Sequence, residues 1–410
     1  MFAKAVKECC FCSSRNIFKN ELKRHFSKTA SVLNSDCVSS RQQIRNPETI
    51  TFMNSRIFST SVNSNVAIPP ALILASKEES QEFMSIFPDV VCDLTFNTDA
   101  QDLNQQFLRA LEYNVARGKK YRGLLVVAAY KMIESPEHLT PENIRLANIL
   151  GWCVEMLHSS FLMNYDLMTG EETRRGIPCW YKNADVKQKA MYDAIMIKFK
   201  LYSILKKYFS GHHCYVPTLD LFNDVVMETA MGKSLNVMSV VDEGPKLSSF
   251  TMNRYNAIVK YNLACYSFQL PVALAMYLAG KYDPEMHRQA KTVLLEIAHF
   301  FQVQDDFLDC FGDPETTGKI ETDIRKGECT WLVVVALQRA SPEQRKILED
   351  HYGKPNPESE AAVRNLYEEL DLPNTYLTYR EKSLNLIHSH IQQIPKGVLD
   401  KLFFKFINKV

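Results

Sequence analysis

The sequence predicts an all-α protein, a single large helical bundle that follows a basic N-terminal segment. Apolar residues recur at the spacing of one helix face, as at Leu103, Phe107, Leu111 and Val115, where each residue lies four positions after the last. Glycines and prolines between such segments mark short connections. Alternating strand patterns bounded by hairpin turns are not found after residue 70. We therefore expect one helical domain over residues 66–410.

Composition and charge limit the classes of function. The 410 residues carry a net charge of +1 and are 46% hydrophobic, which is typical of a soluble globular protein. A charge so close to zero gives no reason to expect nucleic acid as a partner. No uninterrupted apolar run reaches roughly 18 residues, so no transmembrane segment is predicted. The 11 cysteines have no repeating spacing and predict free thiols rather than a disulfide framework.

The first 65 residues have the composition of an organelle-targeting segment. They contain ten Lys or Arg, four Asp or Glu and eleven Ser, the basic and serine-rich pattern of a transit peptide. The sequence Arg56-Ile57-Phe58-Ser59 near their end resembles a mitochondrial processing site. We expect a disordered mitochondrial transit peptide over residues 1–65. The alternative is a basic tail that is never cleaved, on a cytoplasmic protein.

Two predicted helices, at about 149–168 and 293–311, are apolar around most of their circumference, which indicates burial at the centre of a bundle. The second helix carries Gln302, Asp305, Asp306 and Asp309 among aromatic and aliphatic residues. Burial and like charge both raise carboxylate pKa values, so such a group requires a compensating cation. Magnesium fits because it accepts a few carboxylates and completes its shell with water and phosphate oxygens. The alternative, a solvated helix face, is disfavoured by the apolar neighbours.

The motif around these acids resembles a known family. Residues 300–309, Phe-Phe-Gln-Val-Gln-Asp-Asp-Phe-Leu-Asp, are similar to the second aspartate-rich motif of farnesyl diphosphate synthases, and the likeness continues through 150–155, 172–176 and 317–320. The sequence is identified as a member of the farnesyl diphosphate synthase-like trans-isoprenyl diphosphate synthases, most like the insect terpene synthases derived from them. This resemblance implies an isoprenoid-synthase bundle, a prenyl diphosphate substrate, about three Mg²⁺ ions and a homodimer.

The resemblance also implies a set of site residues. The expected metal ligands are Asp305, Asp306, Asp309 and Asp166. The expected catalytic residues are Arg174, Lys319 and Tyr165. The expected substrate-binding residues are Lys119, Arg122, His158, Arg174, Arg175, Lys233, Gln302, Lys319, Ser160 and Phe161, of which Ser160 and Phe161 occupy the positions that set product length in the family.

Several departures from the family fall around the allylic diphosphate. The first motif, Asp-Asp-x-x-Asp, is Tyr-Asp-Leu-Met-Thr at 165–169, so both outer acids are replaced. A family lysine is Glu328 and a family aspartate is Asn236, whereas Lys233 adds an ammonium that can compensate for lost cations. These changes favour a terpene synthase, in the first place a sesquiterpene synthase, that ionises farnesyl diphosphate and releases pyrophosphate. The alternatives are a farnesyl or geranyl diphosphate synthase with an altered first motif, and a non-catalytic regulatory partner of an active paralogue.

Overall fold

A computed structural model describes residues 75–94, 100–241, 244–312, 323–394 and 397–407. The predicted transit peptide and Lys319 lie outside these described residues. The mitochondrial localisation, the boundary at residue 65 and the role of Lys319 therefore stay predictions.

Helices make up most of the described secondary structure, as the sequence predicts. The first half contains α1 (Lys77–Leu94), α2 (Gln101–Ala110), α3 (Tyr121–Ile133), α4 (Pro141–Thr169), α5 (Ala190–Phe209) and α6 (Tyr215–Val237). The second half contains α7 (Met252–Val259), α8 (Leu270–Leu278), α9 (Pro284–Phe311), α10 (Asp323–Lys326), α11 (Trp331–Arg339), α12 (Pro342–His351), α13 (Pro357–Glu369), α14 (Leu372–Gln393) and α15 (Val398–Ile407).

Short elements connect these helices. Single-turn 3₁₀ helices lie at Pro136–His138, Trp180–Lys182, Lys187–Lys189 and Leu247–Ser249. Two antiparallel hairpins have strands of two residues each, β1 (Thr173–Arg174) with β2 (Ile177–Pro178) and β3 (Val240–Val241) with β4 (Gly244–Pro245). Such short pairs are turns rather than a sheet core, so the fold class remains all-α.

The two central helices begin earlier than their apolar stretches predict. Helix α4 starts after Thr140, whose hydroxyl accepts the N–H of Asn143, and α9 starts after Asp283, whose carboxylate accepts the N–H of Met286. Each has a proline at the start of its first turn. Capping side chains and a first-turn proline stabilise a helix start that is not itself apolar. Polar first turns therefore extend both helices beyond the predicted bounds.

Helix α4 also passes a length and hydropathy test for a membrane span, with a window that is 83% buried inside the protein. Its Trp152 stacks on Phe83 of α1 with ring centroids 4.5 Å apart and donates its indole N–H to the Phe83 carbonyl oxygen at 3.0 Å. A helix packed in this way is a core helix of the bundle. This burial accounts for its apolar circumference.

Helix α9 connects two groups of buried apolar residues. Phe300 belongs to the larger group, which includes α3, α4, α5 and α8. Phe307, two turns later, belongs to a second group formed with α7, α11, α13 and α14. The acidic motif of α9 therefore lies where the two groups meet.

Within the described residues, two helical stretches are π-helical, Leu111–Val115 after α2 and Lys260–Gln269 between α7 and α8. Pro271 follows the second stretch and has no N–H to donate to the carbonyl group four residues earlier. The wider π turn accommodates this loss without breaking the helix. The π-helical segment Lys260–Gln269 carries several of the site residues described below.

The contact of α3 with α4 depends on two glycines. A Cβ atom added at Gly151 would lie 2.6 Å from the carbonyl oxygen of Gly123 and 2.7 Å from the ring of Phe83. Both distances are shorter than a van der Waals contact, so the two helices approach closely only because side chains are absent here.

We expect Gly151→Ala to lower the free energy of unfolding by about 1–3 kcal/mol, the usual cost of overpacking. Urea denaturation measures the effect. Gly211→Ala is the matched control, because no atom lies within 4 Å of its added Cβ, and its change should stay within about 0.5 kcal/mol. Equal midpoints for the two variants would contradict the packing argument.

Candidate active site

The polar residues of the α9 motif lie within one arc of the helix but contact different neighbours. Asp305 is exposed, and Asp309, one turn later, is buried and accepts the backbone N–H of Asp323 at 2.7 Å. Residues at i and i+4 project from the same side of a helix. Asp305 and Asp309 therefore form one carboxylate pair at the C-terminal end of α9.

The other pair, Gln302 and Asp306, turns towards the start of α11. The buried carboxylate of Asp306 accepts the backbone N–H of Trp331 at 2.8 Å and the side-chain amide of Gln302 at 2.7 Å. Burial raises the pKa of Asp306 to about 7, although both hydrogen bonds oppose the shift. The sequence places all four residues on one stripe, whereas the structure uses Asp306 to anchor α11. Its metal role and the substrate role of Gln302 stay predictions.

The short helix α10 joins the acidic end of α9 to the end of α4. Asp323 binds Asp309 through its N–H, as described above, and Lys326 forms a salt bridge of 2.9 Å with Glu171, just after α4. The segment that follows, with Glu328, reaches the C-terminal turns of α4 directly. The two halves of the site are brought together in this way.

On the α4 side, the predicted metal ligand Asp166 is paired with an arginine. The guanidinium of Arg174 donates to Oδ1 of Asp166 through Nη2 at 2.5 Å and Nε at 3.1 Å. Burial alone would lower the pKa of Arg174, but these contacts with Asp166 raise it. The charge of Asp166 is therefore balanced by Arg174 within the protein.

A two-residue turn places Arg174 in this position. Arg175 and Gly176 connect β1 to β2 with φ angles of 56° and 75°, the left-handed conformations of a type I′ hairpin turn. Arg175 donates to the carbonyl oxygen of Asn114 at 2.8 Å. Its guanidinium packs against Gly118, where an added Cβ atom would lie only 2.6 Å from Nε of Arg175. The neighbouring arginines thus project to different parts of the site.

Tyr165, at the first position of the altered motif, is hydrogen bonded across the site. Its hydroxyl donates to Oε1 of Glu328 at 2.9 Å, and the side-chain amide of Asn236 donates to Oε2 of Glu328 at 2.9 Å and to the Tyr165 oxygen at 3.2 Å. Burial, followed by the charge of Glu328, raises the pKa of Tyr165. We call Tyr165, Asn236 and Glu328 the bridge; it joins α4, α6 and the segment before α11.

Arg122 and His158 form a second polar group with the π-helical segment. Arg122 donates to the hydroxyl groups of Ser267 at 2.9 Å and Tyr266 at 3.3 Å, and lies 4.9 Å from the centroid of the Tyr266 ring. Burial lowers the pKa of His158 well below 6.5, and nearby cations, Arg122 first among them, lower it further. His158 is therefore a neutral hydrogen-bonding group beside Arg122.

The residues expected to contact the hydrocarbon chain flank this group. Ser160 is buried and donates its hydroxyl to the Leu157 carbonyl oxygen at 2.8 Å within its own helix. Phe161 is half-buried, with its ring centroid 6.4 Å from that of Tyr266. A hydroxyl that is satisfied inside the helix behaves as a small residue towards its surroundings. The roles of Ser160 and Phe161 in setting product length stay predictions.

Among the motif residues, Lys119 and Lys120 have opposite surroundings. Lys119 is exposed, with its ammonium 5.7 Å from the ring centroid of Tyr121. Lys120, which the sequence does not single out, is buried, contacts the Arg117 carbonyl oxygen and lies 4.0 Å from Glu155. Burial lowers the pKa of Lys120 to about 7 against the opposing charge of Glu155. Because Lys119 and Lys120 are adjacent and of the same type, the sequence could not predict which of the two lysines is buried.

The all-α bundle is of the isoprenoid-synthase fold class, the fold of the farnesyl diphosphate synthase structures that it resembles. The family model described as polyprenyl synthetase matches residues 104–370, and the chain belongs to this family.

Individual relatives agree with this assignment. The chain is 47% identical to a farnesyl pyrophosphate synthase of Nezara viridula, over 84% of this chain and 85% of that protein. It is 41% identical to the farnesyl pyrophosphate synthase of Gallus gallus, over 83% and 95% of the two chains. The farnesyl diphosphate synthase of T. brucei in complex with homorisedronate superimposes with a TM-score of 0.76, at 28% identity over 81% of this chain and 99% of that one.

The interpretation as a terpene synthase and lyase is wrong. Relatives at 40–47% identity over most of the chain are farnesyl pyrophosphate synthases, which favours the prenyltransferase alternative. The acids missing at positions 165 and 169 therefore do not indicate a change of reaction class.

The two adjacent aspartates of α9 should respond differently to substitution. Asp306→Ala leaves the buried N–H of Trp331 without its acceptor, so we expect a loss of about 1–3 kcal/mol in the free energy of unfolding. The exposed Asp305→Ala should change it by no more than about 0.5 kcal/mol. Urea unfolding monitored by circular dichroism compares the two. Equal losses would show that Asp306 does not anchor α11.

Proposed function

We propose that the protein is a prenyltransferase of the farnesyl diphosphate synthase type, which extends an allylic prenyl diphosphate with isopentenyl diphosphate. The identity to farnesyl pyrophosphate synthases across more than four-fifths of the chain carries this proposal. The cationic side chains of the site support it. Arg122, Arg174, Arg175 and Lys233 lie close enough for their charges to act on one another, and two diphosphate substrates bring the negative charge that such a group would bind.

Magnesium fits one side of the proposed site. Asp305 and Asp309 lie one turn apart on the same side of α9, and Mg²⁺ is usually held by one or two carboxylates together with substrate phosphate oxygens. The α4 side offers fewer ligands for Mg²⁺, because Arg174 pairs with Asp166 and the Thr169 hydroxyl donates to the carbonyl oxygen of Tyr165 at 2.9 Å. Bound Mg²⁺ would stabilise negative charge on the leaving pyrophosphate.

The protein residues contribute charge, position and exclusion of water. In the proposed reaction the allylic carbon–oxygen bond breaks, and pyrophosphate leaves with the electron pair. The alkene of isopentenyl diphosphate donates its electron pair to form the new carbon–carbon bond, and the resulting cation transfers a proton to the departed pyrophosphate. Arg174 and Lys233 stabilise the departing anion, Arg122 and Arg175 hold the second diphosphate, and the apolar surroundings of Phe161 exclude water from the cation.

The product assay tests this proposal. The full-length protein, incubated with Mg²⁺, isopentenyl diphosphate and either dimethylallyl or geranyl diphosphate, should yield a longer prenyl diphosphate, detected by mass spectrometry after dephosphorylation. Asp305→Ala should lower the turnover by about 10²-fold or more, the usual effect of removing an electrostatic group at the reacting centre. Hydrocarbon formed from the allylic substrate alone, with no elongation, would contradict the proposal.

A homodimer is the second part of the proposal. Helices α5 and α6 are neighbours, joined by the hydrogen bond from Tyr202 to Asn223 at 2.9 Å. Both present exposed apolar side chains, including Phe199 (58% exposed) on α5 and Met227 (64% exposed) on α6. A group of such residues on a folded protein marks an interaction surface. A second copy of the chain would bury these residues.

Charged substitutions on this surface should dissociate the dimer. We expect the double variant Phe199→Lys, Met227→Lys to sediment as a monomer in analytical ultracentrifugation at concentrations where the unaltered protein is dimeric. Leu386→Lys, at a residue of α14 that is 50% exposed, is the control and should remain dimeric. A monomeric unaltered protein, or a dimeric double variant, would contradict the assignment.

A further inference from the structure

Lys233 lies at the C-terminal end of α6, and the backbone around it is firmly placed. A Cβ atom added at the preceding residue, Gly232, would lie 2.4 Å from the backbone nitrogen of Asn262. The last turns of α6 therefore pack directly on the π-helical segment. This contact fixes the backbone position of Lys233.

The ammonium of Lys233 lies over an aromatic ring instead of beside a carboxylate. Its Nζ is 4.2 Å from the ring centroid of Tyr165, and the side chain is half-buried. A cation over an aromatic face is attracted by the ring quadrupole but keeps its charge available to other ligands. Within the part of the chain that the structure describes, Lys233 forms no salt bridge with a carboxylate.

The bridge holds the Tyr165 ring beneath this ammonium. Because the Tyr165 hydroxyl donates to Glu328, and Asn236 donates to both, the ring is restrained from two elements outside α4. The Glu328 carboxylate has a hydrogen bond on each oxygen. The bridge, whose three residues replace residues of the family motifs, therefore holds the ring on which Lys233 packs.

The surroundings of Lys233 include two other cations. Burial lowers the pKa of Lys233, Tyr266 and Glu328 oppose the shift, and the charges of Arg174 and Arg122 add to it. An ammonium that is partly desolvated beside other cations is stabilised by a bound anion. A diphosphate, with several charged oxygens, is the anion that the proposed reaction brings to this position.

We propose that Lys233 is a diphosphate-binding residue that takes the place of a divalent cation on the α4 side, so that this chain binds pyrophosphate there without metal. Three observations on that side support the substitution: a neutral phenol at Tyr165, a Thr169 hydroxyl hydrogen bonded to its own helix, and an Asp166 paired with Arg174. None of these is a good ligand for Mg²⁺. The identity of the allylic substrate rests on the proposed function, whereas the anion site does not.

Isothermal titration calorimetry with inorganic pyrophosphate tests the inference on the full-length protein in EDTA, without divalent cations. We expect measurable binding by the unaltered protein and an affinity at least about tenfold lower for Lys233→Met, the loss typical of a charged hydrogen-bonding group. Lys233→Arg should retain most of the affinity because it keeps the cation. Thermal unfolding of both variants, followed by circular dichroism, verifies that they are folded.

A matched control is available at Lys198, whose ammonium lies 5.0 Å from the ring centroid of Phe199 on α5. Lys198→Met removes a similar cation over a ring and should not change the affinity for pyrophosphate. The inference is overturned if the unaltered protein fails to bind pyrophosphate in EDTA, or if folded Lys233→Met binds as tightly as the unaltered protein.

Failure of this inference and failure of the proposed function are distinguishable. If the protein binds pyrophosphate through Lys233 but does not elongate a prenyl diphosphate, the anion site is supported and the prenyltransferase proposal is wrong. A protein that elongates its substrate, with metal-free binding unchanged in Lys233→Met, removes the role of Lys233 alone.

Discussion

The buried carboxylates of Glu155, Asp166 and Asp306 are tolerated inside this bundle because each has a defined partner, and the arrangement of the site depends on that constraint. The buried Glu155 of α4 accepts the backbone N–H of Gly123 at 2.9 Å, directly where α3 and α4 approach most closely. Asp306 holds the start of α11, and Asp166 holds the arginine of the first hairpin. An unpaired buried charge would cost several kcal/mol, so these pairings fix the helices relative to one another.

The sequence predicted the fold class because helical periodicity carries that information, whereas the site residues stay a prediction. It could not predict which neighbours the polar side chains of α9 contact. Gln302, Asp305, Asp306 and Asp309 all lie within one arc of the helix, and either group of buried apolar residues could pack against that arc. That choice is made by Trp331, a residue 25 positions beyond Asp306 whose N–H requires an acceptor. The π-helical segment was also missed, although Pro271 was a visible sign that regular helix hydrogen bonding would be interrupted.

The departures from the family motif have a different meaning once their contacts are known. Positions 165, 236 and 328 are far apart in sequence, and individually each replacement suggests a lost function. In the structure the three side chains contact one another, so the changes make a single hydrogen-bonded unit. Considered one at a time, the replacements are lost ligands that favour a different reaction class; considered together, they form one rebuilt interaction.

The π-helical segment Lys260–Gln269 has a consequence for how such a site can change over generations. A π turn contains roughly one residue more than an α turn, and each residue of an α-helix advances the side-chain direction by about 100°. Deleting one codon within this segment could restore regular α geometry and rotate Tyr266 and Ser267 away from Arg122 while the flanking helices keep their places. The segment is thus a position where a single in-frame deletion would alter the lining of the site without dismantling the bundle.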